Sequence, residues 1–337
     1  MKAVGYRKSL PIEDKDSLVD FEAAKPEPRG RDLRVAVKAI SVNPVDYKVR
    51  KRAAPPAGET KILGFDAAAV VEAVGPDASL FKPGDEVFYA GSIQRQGTNS
   101  EFHLVDERIV GNKPKTLSFT QAAALPLTSI TAWELLFDRL GAVPGKSLDP
   151  RTLLIVGGAG GVGSILIQLA RRLTGLTVVA TATRPESQKW CLDLGAHAVV
   201  DHGKSMKEQI EKLKLPPVAL VASLTFTDQH YKAIADFMAP QGKFGLIDDP
   251  AEFNVAVFKG KAISVHWESM FTRSSFQTPD MIAQHHLLND VADLLDKGVL
   301  RTTLNQSFGA INAANLKRAH ALLESGQSRG KIVLEGW

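Results

Sequence analysis

Cysteine is almost absent from this 337-residue chain, and the single Cys191 excludes an internal disulfide and any cysteine-rich zinc lobe. Its place after Trp190 on an expected helix reads as a packed or half-exposed thiol, with no histidine partner indicated to make it a nucleophile. No apolar run approaches the roughly 18 residues of a membrane span, and MKAVGYRKSLPIEDK lacks the apolar centre of a signal peptide, so a cytosolic chain without membrane contact is expected. Charge of one sign is not in excess either: 41 Lys and Arg against 37 Asp and Glu leave +4. There is no run of five bases and no basic stretch interleaved with aromatics, which argues against nucleic acid. Fibrous, disordered and stapled classes fall away as well, because 44% apolar and 23% charged residues over this length supply ordinary cores for about two domains.

The first 125 residues hold short β-branched segments, Leu33 to Ala39, Ala67 to Val74, Glu86 to Tyr89 and Glu101 to Val105, separated by Pro and Gly turns such as FKPGD. They predict a largely antiparallel β-domain. From Leu153 the rhythm becomes strand, helix, strand, helix: TLLIV before a helix over 161–173, TVVATA before 186–194, AVVD before 206–213, VALVASL before 229–238, then GKFGLI and KAISVHW. That alternation predicts βαβ crossovers and a doubly wound parallel sheet with helices on both faces, a Rossmann-type α/β domain. Helices over 278–297 and 312–325 and a strand KIVLEG close the chain. The expected layout is a β-rich domain over 1–125, an inserted dinucleotide-binding domain over 126–268, and a return to the first domain over 269–337.

LLIVGGAGGVGSILIQLARR, Leu153 to Arg172, contains Gly158-Ala-Gly160-Gly161-Val162-Gly163, a G-x-G-x-x-G directly after a strand and directly before a helix. In that context the first glycine permits the tight turn, the second lets backbone approach a pyrophosphate, and the third lets helix and strand pack closely. No Gly-Lys-Ser/Thr follows, which disfavours a Walker-type phosphate loop. The second strand ends in Thr183-Arg184-Pro-Glu186, where an NAD site usually carries an acid for the ribose 2′-hydroxyl. A guanidinium there suits a 2′-phosphate and points to NADPH, with Glu186 the residue that would serve NADH instead.

At this point the chain resembles the medium-chain dehydrogenase/reductase superfamily, and within it the quinone oxidoreductase branch that includes zeta-crystallin, a group often labelled zinc-type alcohol dehydrogenase-like. The resemblance runs through VNPVDYKVR, LGFDAAAVVEAVG, FKPGDEVF, AALPLTSITAWELL, GGAGGVGSILIQLA, LGAHAVVDH, APQGKFGLI and SGQSRGKIVLEG. It implies that the β-rich part is GroES-like and that the cleft between the domains holds the nicotinamide. Zinc-dependent relatives carry a Cys at the position of Asn43, a Gly-His-Glu at Gly64-Phe65-Asp66 and a second Cys near Leu127, so the resemblance implies a chain without zinc. His285-His286 reads as a solvated helix face, not a metal site.

The resemblance further implies that Asn43 orients and polarises a substrate carbonyl, although Asn43-Pro44 also suits a turn. Relatives carry a tyrosine where this chain has Lys48, with Tyr47 one position earlier; Tyr47, Lys48 or solvent then supplies the proton, and Asp46 reads as a helix cap. For the cofactor it implies Thr131 beside the nicotinamide, Ile247 among the cofactor-binding residues, His202 near the 2′-phosphate together with Thr183 and Arg184, and Lys331 or Arg329 near the pyrophosphate. The expected activity is NADPH-dependent, zinc-independent hydride transfer to a small electrophile, a quinone or an α,β-unsaturated carbonyl. An enoyl-thioester reductase using Lys48-Val-Arg50-Lys51-Arg52 to hold a phosphate, and a non-catalytic NADPH-binding protein, are the rivals. A homodimer joined along the strand near Lys261 to Trp267 is implied as well.

Overall fold

Alternating apolar side chains place Leu33, Val35 and Val37 on the buried side of an eleven-residue strand, Asp32–Val42, which organises the β-rich part of the chain. In the computed structural model, which describes residues 1–145, 147 and 149–337, this strand pairs antiparallel with Asp66–Val74 and with the C-terminal strand Lys331–Glu335. The sheet runs Leu304–Ser307, Lys331–Glu335, Asp32–Val42, Asp66–Val74, Glu86–Ala90, Val110–Asn112, with Phe102–Asp106 added on Asp32–Val42. At the carboxyl end of the long strand the register sets Ser41 opposite Asp66 on one side and Val42 opposite Ile332 on the other. A short sheet of Val19–Glu22, Lys2–Tyr6 and Lys61–Ile62 completes the strands of this part. The helix Pro44–Arg52 begins directly after the long strand, where Pro44 at its first position removes an N–H that no helix carbonyl could have met.

The chain divides into two units, Met1–Ile130 with Phe271–Trp337, and Thr131–Met270. The second unit is a six-stranded parallel sheet in the order Ala198–Val200, Thr177–Thr181, Thr152–Val156, Val218–Ser223, Lys243–Leu246, Ser264–Trp267. Counted within the unit this is 3-2-1-4-5-6, the doubly wound order. Its first strand is buried along its whole length, as expected where helices cover both faces. Helices Gly161–Leu173, Pro185–Asp193, Met206–Leu213 and Thr227–Phe237 make the crossovers. The strand order reverses between Thr152–Val156 and Val218–Ser223, so a crevice opens at their carboxyl ends, beside Gly157.

Three segments depart from the pattern read from sequence. Helices Phe119–Ala123 and Pro126–Trp133, followed by a π-helical turn Glu134–Arg139, occupy FTQAAALPLTSITAWELLFDR, whose middle, AAALPLTSITAW, has too little charge to show a helical period. The expected helix over 278–297 is shorter, Ala283–Asp296, and is preceded by a separate turn of helix, Thr272–Phe276. Among the described residues no helix is long and apolar enough to cross a membrane.

Candidate active site

The residues expected from sequence to bind the cofactor and substrate fall into two groups, one in each unit. In the second unit the glycine turn joins Thr152–Val156 to Gly161–Leu173. Gly157 adopts φ +79°, a left-handed conformation that only glycine takes without strain, and its N–H donates to Thr181 Oγ1 at 3.0 Å. Gly158 N donates to Thr181 O at 3.1 Å, tying the turn to the neighbouring strand. A Cβ on Gly163 would lie 2.6 Å from the carbonyl oxygens of both Gly157 and Gly158, so that glycine is required for the helix to sit against the turn. Gly160 differs: it caps the helix at φ −70°, offers no side-chain cap, and has room for a Cβ, whose nearest neighbour would be Gly157 O at 3.5 Å. The helix therefore starts on Gly161, Val162 and Gly163 with unpaired backbone N–H groups, the arrangement that accepts a phosphate.

Cys191 is buried beneath this turn, where a Cβ on Gly158 would come within 3.2 Å of its Sγ. Burial pushes its thiol up to about 12, so it is a packing group and not a nucleophile.

Beyond the turn, the ends of Thr177–Thr181 and Ala198–Val200 bring the expected 2′-phosphate residues together. Thr181 Oγ1 shares a hydrogen bond of 2.8 Å with His202 Nδ1, and a Cβ on Gly203 would be 3.7 Å from Thr183 Cγ2. Burial holds the His202 imidazole below its usual range, with Asp201 opposing. His230, which sequence reasoning passed over, lies with its ring 5.5 Å from that of His202 and is lowered by burial and by His202. Arg184 lies 3.4 Å from Glu186 in an exposed pair, the kind that contributes little and exchanges readily for a better anion. The two alternatives read for the ribose end are thus partners of each other. Thr131 is buried, and Ile247, just past Lys243–Leu246, is half-buried with its N–H on Ser223 O at 3.3 Å.

In the first unit, three adjacent strand ends gather a buried polar cluster. Asp66 Oδ1 accepts Leu127 N at 2.7 Å; its Oδ2 accepts Ser41 Oγ at 2.7 Å, Asn43 Nδ2 at 2.8 Å and Lys331 Nζ at 3.0 Å. Lys331 Nζ also bonds Val42 O at 3.2 Å and Asn43 Oδ1. Lys331, which the resemblance puts near a pyrophosphate, has its ammonium engaged within the first unit. The residue is 2% exposed, and its three N–H groups already meet three acceptors inside the unit.

Asp46 closes the other side, accepting Asn43 N at 2.7 Å and Gly64 N at 2.9 Å, which anchors the helix Pro44–Arg52 to the Gly64-Phe65-Asp66 turn. Burial raises its carboxyl to about 7, against the lowering effect of the Asn43 hydrogen bond. Tyr47 does not join the cluster: it is half-buried, with Lys51 Nζ 5.7 Å from its ring, and burial and Glu324 hold its phenol high. Lys48 is half-buried on the same helix. Of the basic stretch that a thioester phosphate would need, Arg50 is fully buried on Leu10 O and Glu324, and Lys51 is paired with Glu324 at 2.8 Å. His285 bonds Val110 O at 2.6 Å and Asn289 at 3.0 Å, a packing role in place of the solvated one expected.

The positions where zinc-dependent relatives carry ligands therefore converge here, but the donors do not suit zinc. Asn43 offers an amide, Phe65 and Leu127 are apolar, and the Asp66 carboxylate already holds an ammonium. Among the described residues no group of three His, Cys, Asp or Glu side chains is placed to hold a metal. Protein purified without added metal is expected to contain less than about 0.1 zinc per chain by elemental analysis. About half an equivalent or more, removed together with activity by a chelator, would contradict this reading.

Comparison with known proteins gives two family matches, an alcohol dehydrogenase GroES-like domain over residues 29–126 and a zinc-binding dehydrogenase over residues 194–334. A zinc-type alcohol dehydrogenase-like protein, SAS2087 of Staphylococcus aureus (strain MSSA476), is 40% identical over 99% of both chains. The human mitochondrial NAD(P)H oxidoreductase RTN4IP1 is 31% identical over 90% of this chain and 81% of its own. Among solved structures, a Rhizobium etli CFN 42 protein named as a zinc-dependent alcohol dehydrogenase superposes with a TM-score of 0.96 at 61% identity, covering 100% of this chain and 98% of that one. Escherichia coli quinone oxidoreductase complexed with NADPH shares the fold, with a TM-score of 0.84 at 24% identity over the whole of both chains.

Proposed function

The chain belongs to the medium-chain dehydrogenase/reductase superfamily, and within it we propose an NADPH-dependent oxidoreductase that needs no metal and passes hydride to a quinone or to the β-carbon of an α,β-unsaturated carbonyl. The observation that carries this reading is the glycine turn at the switch point of a doubly wound sheet, with Thr183, Arg184 and His202 at the ribose end and the one acid read there, Glu186, paired with Arg184. Gly158, Gly160, Gly161, Val162 and Gly163 are the groups for the pyrophosphate, and Thr131 and Ile247 those for the nicotinamide. The bound cofactor supplies the hydride; everything else falls to side chains.

Asn43 is the proposed donor to the acceptor's carbonyl oxygen. It is 1% exposed, so its amide acts in a water-excluded setting where a hydrogen bond to developing negative charge is strongest. Hydride addition at the β-carbon leaves the charge on that oxygen, and a proton completes the reaction from Lys48, Tyr47 or solvent. The enoyl-thioester alternative is less well supported, since Arg50 and Lys51 of its phosphate patch are already engaged. Turnover of NADPH against quinones, enals, enones and crotonyl-CoA tests the assignment: faster reaction with the thioester than with every free acceptor would move the function to that rival. Tight NADPH binding without any acceptor-dependent oxidation would favour a non-catalytic role.

Because burial disfavours a charge on His202, the charge that recognises a 2′-phosphate falls to Arg184. Arg184→Ala is expected to weaken NADPH by about tenfold, roughly 1.4 kcal/mol, and to leave NADH unchanged. Equal losses for both nucleotides in a titration would show that the guanidinium does not read the phosphate. We also infer a homodimer joined at Ser264–Trp267, the outer strand of the parallel sheet, where Trp267 is 56% exposed; light scattering on the purified protein measures it.

A further inference from the structure

The Asn43 amide is held on two sides, and the chemistry of its neighbours fixes which way it faces. Lys331 Nζ carries three N–H groups and finds three acceptors, Val42 O, Asp66 Oδ2 and Asn43 Oδ1. Were the amide turned over, its NH2 would meet the ammonium donor to donor, and its oxygen would meet the Asp66 carboxylate acceptor to acceptor. In the orientation present, Asn43 gives one N–H to Asp66 Oδ2 at 2.8 Å. Its second N–H is donated to no group among the described residues. Asp66 is itself fixed by Ser41 Oγ and Leu127 N, each at 2.7 Å, so the order of support runs from backbone and hydroxyl to carboxylate, to ammonium, to amide.

Resting on the reading of Asn43 as donor to the acceptor's oxygen, we propose that Lys331 is a positioning residue: an ammonium tethered within the chain that locks the Asn43 amide with one N–H presented to that oxygen, doing for the site what a bound cation would otherwise do. The ammonium draws charge toward the amide oxygen and so strengthens the N–H at the other end, as hydrogen bonds in series do. The register Val42 to Ile332 is what brings the lysine to the amide; the neighbouring residue of the same strand, Ile332, turns into the core.

Removing Lys331 alone leaves a buried, unpaired Asp66, so the informative variant changes both, Lys331→Met with Asp66→Asn. This variant is expected to fold and to bind NADPH as wild type does, while kcat falls about 10²-fold, the size of effect that a misplaced orienting group produces. A Lys331→Ala protein that still folds is expected to recover turnover with added propylammonium and not with sodium. A folded double variant with wild-type kcat overturns the proposal. The side-chain amide protons of Asn43, assigned in an NMR spectrum by their loss in Asn43→Ser, give a readout without turnover: slow exchange with water in wild type and fast exchange in the double variant. Equal exchange rates in the two overturn the proposal even where no acceptor is reduced. Failure of the functional reading shows separately, as wild-type protein that binds no NADPH or reduces nothing.

Discussion

Gly163→Ala is expected to abolish measurable NADPH binding and to lower the melting temperature, whereas Gly160→Ala is expected to weaken NADPH by about 10- to 100-fold with the melting temperature unchanged. The difference comes from what each new methyl group meets. At Gly163 it would stand 2.6 Å from two backbone carbonyl oxygens of the turn, neither of which can move without opening the junction of strand and helix. At Gly160 the backbone has φ −70°, which alanine adopts freely, and the nearest atom is 3.5 Å away. Nothing within the fold therefore requires glycine at 160. On the proposed reading that space takes a phosphate close to the backbone, and alanine would fill it. Titration calorimetry paired with thermal unfolding reads both quantities. A Gly160→Ala protein that binds NADPH like wild type would mean that the turn serves the fold alone.

Lys331→Met is expected to lower stability by about 3 to 5 kcal/mol, while the Lys331→Met, Asp66→Asn double variant is expected to recover most of that loss. Asp66 and Lys331 are both inside the unit, their side chains 3.0 Å apart with 0% and 2% exposure. Taking the lysine away leaves the carboxylate with only dipoles, from Ser41, Asn43 and Leu127, to offset its lost hydration. Making the aspartate neutral removes the charge that needed a partner. Denaturant unfolding of the two variants beside wild type measures the coupling; additive losses would show that the pair does not act as a unit.

The doubly wound half of the chain was legible because strand and helix alternate with apolar periods that a reader can count: a helix over 161–173 stands where the pattern put it, and those over 186–194 and 229–238 shift by only one or two residues. The glycine turn was legible for the same local reason, since its geometry lies within consecutive residues, although the left-handed position is Gly157, one residue before the motif that the sequence showed. Segment 119–139 was not, because its central stretch, residues 122–132, is buried throughout and so carries no polar face to reveal a helical period. The cluster around Asn43 was hidden more deeply. In SRGKIVLEG, Lys331 is legible only by resemblance, as a base near a pyrophosphate, and the pairing of Ile332 with Val42, about 290 residues apart in the chain, is what brings it against Asn43 and Asp66. Burial, too, is a tertiary property: Arg50, read in the sequence as part of a basic patch that could hold a phosphate, is fully buried.

The most direct test of a metal-free NADPH oxidoreductase is the rate of nicotinamide oxidation by chelator-treated protein, with a quinone or an enone as acceptor and with NADPH and NADH compared side by side. The expected result is acceptor-dependent oxidation that the chelator does not diminish, with kcat/KM about tenfold or more higher for NADPH than for NADH. Oxidation that disappears on chelation and returns with zinc, or that favours NADH, would contradict it.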